Sequence, residues 1–161
     1  SGLAAGPPLL QVSYPFRKAV HFAPAWFGIV ALPPGRVTGE VVYAGDACES
    51  FVGRISVREK IALVDRGKCS FLQKAKHCEQ AGAYAVLVVN DTDDFFVMTD
   101  DGSGRKAQIH AFLLSNSDGK AIKQALPCGQ GAGEPCDGVG TAGVHVTYGL
   151  GFQNRARYDF F

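Results

Sequence analysis

The stretch KIALVDRGKCSFLQKAKHCEQAGAYAVLVVND, residues 60–91, decides the architecture through a change of hydrophobic period. Residues 61–64 (IALV) are a short continuous apolar run, the pattern of a strand buried on both faces, and they end in the turn Asp65-Arg66-Gly67-Lys68. Beyond that turn Ser70 stands three residues before Gln73, the spacing of a capping box, and Phe71, Ala75 and Cys78 recur at i, i+4 and i+7. Gly82 occupies the place where a left-handed glycine ends a helix, so the spacing predicts a helix over 71–81. Residues 83–90 (AYAVLVVN) then read as a second buried strand. A strand-helix-strand unit of this length demands a parallel crossover.

Outward from this unit, residues 39–43, 109–114 and 144–148 have strand patterns. A second helix is expected with Ser117 as its cap, Ala121, Ile122, Ala125 and Leu126 as its apolar stripe, and Pro127 as its stop. Residues 1–14 are small, proline-containing and aperiodic, which predicts a loosely tied N-terminal arm with a short edge strand at its end. Residues 16–29 gather Phe16, Phe22, Trp26 and Phe27 into an expected irregular wrap over the core. The sequence of 161 residues, 47% hydrophobic and 19% charged, is that of a single domain over 1–161, large enough to bury a full core. Its formal net charge of +1 lacks the electrostatic footprint of a nucleic-acid or anionic-membrane binder. Apolar runs such as 83–89 fall far short of the 18 or more residues of a membrane span, so no membrane contact is expected of this segment.

Five cysteines, at 48, 69, 78, 128 and 136, contain no C-x2-C spacing of the kind structural zinc favours. Cys78 lies on the buried stripe of the first helix and is expected to be the free thiol. Cys128 and Cys136 flank a glycine-rich stretch with nothing else to order it and are expected to pair, which leaves Cys48 with Cys69 by elimination. Two bridges imply an oxidising compartment, and the sequon Asn90-Asp91-Thr92, a potential glycan acceptor at Asn90, points the same way.

Among the four histidines, His21, His77, His110 and His145, none sits in a recognisable catalytic motif, and neither G-x-S-x-G nor H-E-x-x-H occurs. His77 is expected on the solvent face of the helix, and His110 and His145 are expected to pack within strands. The acidic loop 91–104 carries Asp91, Asp93, Asp94, Asp100 and Asp101, oxygen donors of the type calcium takes, but without EF-hand spacing. Gly102-Ser103-Gly104 is followed by a strand rather than by a helix N-terminus that would hold a phosphate. No metal, cofactor or catalytic residue is therefore expected.

The combination of an apolar strand, Asp65-Arg66-Gly67, Cys69, Phe71, Lys74-Ala75, Ala81-Gly82-Ala83 and a second apolar strand ending in Asn90 resembles the centre of a protease-associated (PA) domain. The following stretch, residues 109–126, is similar to that family's next strand and helix, with His110 where a proline is common. The resemblance covers about residues 39–126. It implies an α/β (α+β) fold, a β-sandwich or open barrel flanked by two short helices, with a Cys48–Cys69 bridge and no catalytic residues of its own. Such domains occur in subtilisin-like proteases and aminopeptidases, vacuolar sorting receptors, membrane-bound RING-finger ubiquitin ligases, signal-peptide-peptidase-like proteins and ER degradation-enhancing α-mannosidase-like proteins. Residues 95–119 are most similar to the last group.

Two functions follow as expectations. One is a non-catalytic module of the secretory pathway (ER lumen, endolysosomal or vacuolar lumen, or extracellular space) that recognises a protein or peptide segment. The candidate walls of its groove are the 65–68 turn and the 91–104 loop, with Asp65, Arg66, Gly67, Lys68, Asp100 and Asp101 as ligand-binding residues. Both segments leave the C-terminal ends of parallel strands, the edge at which open α/β sheets present ligand sites. Arg66 is either the anchor for a ligand carboxylate or carbonyl, or an internal brace of the turn. The other function is a structural or lid domain docked on the catalytic domain of a larger hydrolase, which would expose an apolar patch such as 16–27 or the tail 158–161.

Overall fold

A computed structural model describes residues 3–27, 29, 32–127 and 143–154. Among them eight strands and two helices occur in the order β1 (Leu3–Tyr14), β2 (Lys18–Ala19), β3 (Ala23–Pro24), β4 (Arg36–Tyr43), β5 (Ile61–Asp65), α1 (Phe71–Gln80), β6 (Ala85–Val89), β7 (His110–Leu114), α2 (Asn116–Ala125) and β8 (His145–Asn154). The strands form one mixed sheet ordered β2-β1-β8-β4-β5-β6-β7-β3, curled into a half-barrel. This is the open-barrel form of the expected fold. The parallel unit is present, and it extends further than the β5-α1-β6 crossover, since β4, β5, β6 and β7 all run parallel.

Burial on both faces explains the apolar runs of β5, β6 and β7. Ala62 and Val64 of β5, Val86 and Val88 of β6, and Leu113 of β7 pack with Leu72, Ala75 and Cys78 of α1. Ile61, Leu63, Leu87, Val89, Phe112 and Leu114 point the other way, toward Ile122 of α2 and toward Leu10, Val12, Val146 and Tyr148 of the antiparallel half. The two helices thus cover opposite faces of the parallel segment.

The N-terminal arm expected over 1–14 is instead a twelve-residue strand, β1, lying between β2 and β8. Buried Leu10 and Val12 alternate across Gln11, a period that the prolines upstream obscure. The ladder with β8 shifts register between Ala5 and Pro8, where proline has no N–H to contribute. Helix α1 ends one residue before its expected limit and has Ser70 as its cap, accepting from the Gln73 N–H at 3.1 Å. The reciprocal half of the capping box is replaced: the Gln73 side-chain amide donates to the Cys48 carbonyl at 3.0 Å. Gly82 has φ 88° and closes the helix as expected.

Helix α2 is capped by Ser115, whose hydroxyl accepts from the Asp118 N–H at 3.1 Å, and Ser117 lies inside the first turn. The cap moves upstream because β7 runs straight into the helix, and Ser117 is held from outside by Asp93 through its N–H (2.8 Å) and hydroxyl (2.7 Å). Those two bonds, with the hydroxyl contributing most, keep the Asp93 carboxyl below the ordinary carboxylate range. A group depressed in this way holds its partner above the ordinary carboxylate range and lets go as pH falls through its lowered value. In an NMR titration the Ser117 amide proton is therefore expected to move upfield with a midpoint below that of a free aspartate. A midpoint at or above the free value would show that the loop is not tied to α2.

The aromatic segment is only partly a wrap. Phe27 is buried and Phe22 meets Phe112 edge to face at 5.3 Å, but Trp26 is 68% exposed.

Candidate functional site

The C-terminal ends of β4, β5 and β6 share one edge, from which the segment after residue 43, the 65–70 turn and the loop after residue 89 all leave. The Cys48–Cys69 disulfide joins the first two of these, with Cα atoms 5.7 Å apart. Cys78 is free and buried, and that burial pushes its thiol up to about 12. The expected Cys128–Cys136 bridge lies outside the described residues.

The six candidate ligand-binding residues do not share one surrounding. The Asp65 carboxylate faces α2, accepting from the Tyr43 hydroxyl and the Lys123 ammonium, and that ammonium also sits 4.9 Å over the Tyr43 ring. Burial, then the bond to Asp65, holds the Tyr43 hydroxyl well above the ordinary phenol value. Arg66 turns the other way. Its guanidinium donates to Asn90 Oδ1 at 2.8 Å and to Asp91 Oδ1 at 3.2 Å, and it lies 4.9 Å over Phe96 and 5.7 Å over Phe71. Gly67 has φ 114° and Lys68 φ 69°, so the turn projects outward, and the Lys68 side chain is 80% exposed with its ammonium 3.3 Å from Asp46.

Asp101 accepts from the Ser70 hydroxyl (3.1 Å), the Ser103 N–H (3.0 Å) and Arg105 (3.5 Å). Asp100 stands apart in a small pocket of about 200 Å³ with Trp26, Phe27 and Lys106. The two expected walls of the groove are consequently joined to each other by Arg66–Asp91, Ser70–Asp101 and Phe71–Phe96 (5.7 Å between ring centroids). The open space lies on the other side of the turn. A pocket of about 770 Å³ is bounded by Asp46, Cys48, Phe51, Arg54, Lys68 and Gln73 among others.

Since Arg66 braces the loop, Arg66→Ala is expected to cost about 1 kcal/mol of stability. The loss is bounded because Asn90 Oδ1 keeps its bond from the Asp91 N–H at 2.9 Å. Urea unfolding of the two proteins measures it, and a difference under about 0.3 kcal/mol, the level of a solvated surface residue, would contradict the bracing role.

Asn90 is 1% exposed, and its Nδ2, the atom that would carry a glycan, donates to the Asp94 carbonyl at 2.8 Å. His77 is half-buried rather than solvent-facing, with Nδ1 2.6 Å from the Ala47 carbonyl, so the tautomer is the Nδ1–H donor. His145 meets Tyr14 edge to face at 5.8 Å, and His110 lies 5.6 Å from the Tyr148 ring.

One residue of the site lay unread in the helix stripe. Lys74 is fully buried, and its ammonium donates to the Asp46 carbonyl at 2.8 Å and the Gly67 carbonyl at 2.6 Å, with Cys48 Sγ at 3.5 Å. Three protons meet three acceptors. Burial pulls its pKa below the ordinary lysine value. The signal was present in the spacing, because position 74 completes the i, i+3, i+4, i+7 stripe of 71, 75 and 78.

No helix among the described residues is long and apolar enough to cross a membrane. The chain is 32% identical over 130 residues to ER degradation-enhancing alpha-mannosidase-like protein 3 of Xenopus laevis, covering 71% of this chain and 14% of that protein. It is 34% identical over 110 residues to vacuolar-sorting receptor 7 of Arabidopsis thaliana, covering 60% of this chain and 18% of the receptor. The chain thus spans less than a fifth of the length of either relative. An aminopeptidase from Aneurinibacillus sp. strain AM-1 shares the fold with a TM-score of 0.64 at 23% identity, over 94% of this chain and 32% of the enzyme. Residues 37–122, more than half of the chain and the part that carries the parallel strands, α1, the first turns of α2 and the bridged turn, match the PA domain profile, and the chain belongs to the PA domain family.

Proposed function

We propose that the domain is a non-catalytic recognition module of a secretory-pathway protein, binding an extended peptide or protein segment against the disulfide-walled pocket beside the 65–68 turn. The observation that carries this reading is the pocket itself, which opens at the C-terminal edge of the parallel strands with the exposed Lys68 on its rim. Phe51 and Ile55 give it an apolar side, and Arg54 and Lys68 with Asp46 and Glu49 a mixed-charge rim, a pairing suited to a segment with an apolar side chain flanked by polar or charged groups. Arg66 acts from behind, fixing the turn, and Lys68 is the residue of the turn that meets the ligand. Asn90 serves the same bracing and carries no glycan, because its side chain is buried, with Nδ2 against the Asp94 carbonyl, and leaves no room for a sugar. Protein secreted from a eukaryotic host is expected to show no loss of mass at Asn90 on treatment with an N-glycan amidase, and such a loss would overturn that role.

A peptide library displayed on phage and panned on the oxidised protein tests the module. Convergence on a sequence whose synthetic peptide binds wild type and loses about tenfold or more in affinity with Lys68→Glu supports it. No convergence, or an affinity unchanged by both Lys68→Glu and Arg54→Glu, overturns it.

The second reading, an accessory domain docked on a larger hydrolase, has one observation in its favour. Trp26, 68% exposed, runs beside residue 98 through its N–H bond to the Met98 carbonyl at 2.8 Å, and Val97 next to it is 39% exposed. Peptides selected against this surface instead, and lost with Trp26→Ala, would favour docking.

A further inference from the structure

The disulfide and the buried lysine beneath it belong to one arrangement. Both Cys48 and Cys69 line the open pocket, so a thiol reaches the bridge from solvent. The cation contact is one-sided: Lys74 Nζ lies 3.5 Å from Cys48 Sγ, whereas Lys68, adjacent to Cys69 in sequence, directs its ammonium to Asp46. The nearby anion, the Asp46 carboxylate, is itself engaged by Lys68 and by the Cys48 N–H at 3.0 Å. A cation in contact with a sulfur stabilises its thiolate, and in thiol–disulfide exchange the sulfur with the more stable thiolate departs faster.

We propose that Cys48–Cys69 is a thiol-exchange site of fixed polarity, attacked at Cys69 with Cys48 as the leaving thiolate held by Lys74. An external thiolate forms a new S–S bond to Cys69 Sγ as the Cys48–Cys69 bond breaks, and the electron pair goes to Cys48 Sγ. When the reductant is a dithiol, its second thiolate attacks the partner sulfur of the mixed disulfide. Cys69 then leaves with the electron pair, the reductant becomes a disulfide, and the protein has gained two electrons and, from solvent, the protons its thiolates require. Opening the bridge does not release the turn at once. Lys74 still spans the same gap through the Asp46 and Gly67 carbonyls, so the site is built to open and re-form within the folded domain.

The proposal is independent of peptide binding and is tested on the oxidised protein with glutathione alone. After brief exposure, acid quenching and alkylation with N-ethylmaleimide, peptide mapping by mass spectrometry is expected to find glutathione on Cys69 about tenfold more often than on Cys48. The Cys48 of the same molecules carries the maleimide. Lys74→Arg is expected to keep the preference and Lys74→Met to erase it. Glutathione chiefly on Cys48, an even distribution in wild type, or no exchange under conditions that open a small-molecule disulfide overturns the proposal, whether or not Lys74→Met folds.

Discussion

Lys74→Ala is expected to destabilise the domain by about 3–5 kcal/mol, the largest effect of any single truncation in the site. Two costs combine. The Asp46 and Gly67 carbonyls, half-buried around the ammonium, lose a charge-assisted donor, and each such acceptor left without it costs about 1 kcal/mol or more. The three methylenes Cγ, Cδ and Cε of a fully buried side chain, which alanine lacks, also leave a void between α1 and the edge of the sheet. Lys74→Met separates these terms, since it refills most of the volume without donating, and it should recover only the cavity share. Lys68→Ala, six residues away and 80% exposed, is the control and should stay within about 0.5 kcal/mol. Equilibrium urea unfolding under oxidising conditions gives all three values. A loss below about 1 kcal/mol for Lys74→Ala would mean that water replaces the ammonium at no cost, and the lysine would not be the brace described above.

Gly119→Ala should cost about 2–3 kcal/mol, against the trend for a helical glycine. On an exposed helix the same change is favourable by about 1 kcal/mol. Here α2 lies so close to β6 that a Cβ at position 119 would stand 2.2 Å from Val89 Cγ1 and 2.7 Å from Cγ2. Val89 cannot swing aside, because valine is branched at Cβ and this one is buried between the helix and the antiparallel half of the sheet. The clash therefore outweighs the propensity gain. Adding Val89→Ala to Gly119→Ala should return part of the loss, and the coupling in this double-mutant cycle is the decisive measurement. If the two changes add independently, the close approach of α2 to β6 is not what selects glycine.

The parallel unit was legible because its residues obey two different periods in succession and are bounded by Ser70 and Gly82. The same strictness identified Cys78 as buried and left Cys48 to pair with Cys69. Strand β1 was read only as a short edge strand at the end of a loose arm because prolines interrupt its alternation, and its long partner β8 lies more than 130 residues away, beyond the reach of local pattern. The site was legible as to place and misleading as to shape. Spacing puts the 65–68 turn and the 91–104 loop at one edge, but only tertiary contacts reveal that Arg66 and Ser70 fasten them together and that the pocket opens toward Phe51. Lys74 was overlooked for a chemical reason: a lysine on a buried stripe is taken for a solvated residue until acceptors are found for all three of its protons.

The ladder between β1 and β8 pairs Leu3 directly with Asn154. Directly opposed residues in antiparallel strands have Cα atoms about 4.5–5.5 Å apart, hardly more than one peptide step. The outer ends of β1 and β8 therefore lie side by side, an arrangement compatible with insertion of the domain at one surface loop of a larger chain. Such an insertion would transmit little force or rotation along the covalent chain. In that arrangement the covalent connection carries little, which gives the exposed Trp26 face and the rim of the bridged pocket a weight that sequence continuity alone would not.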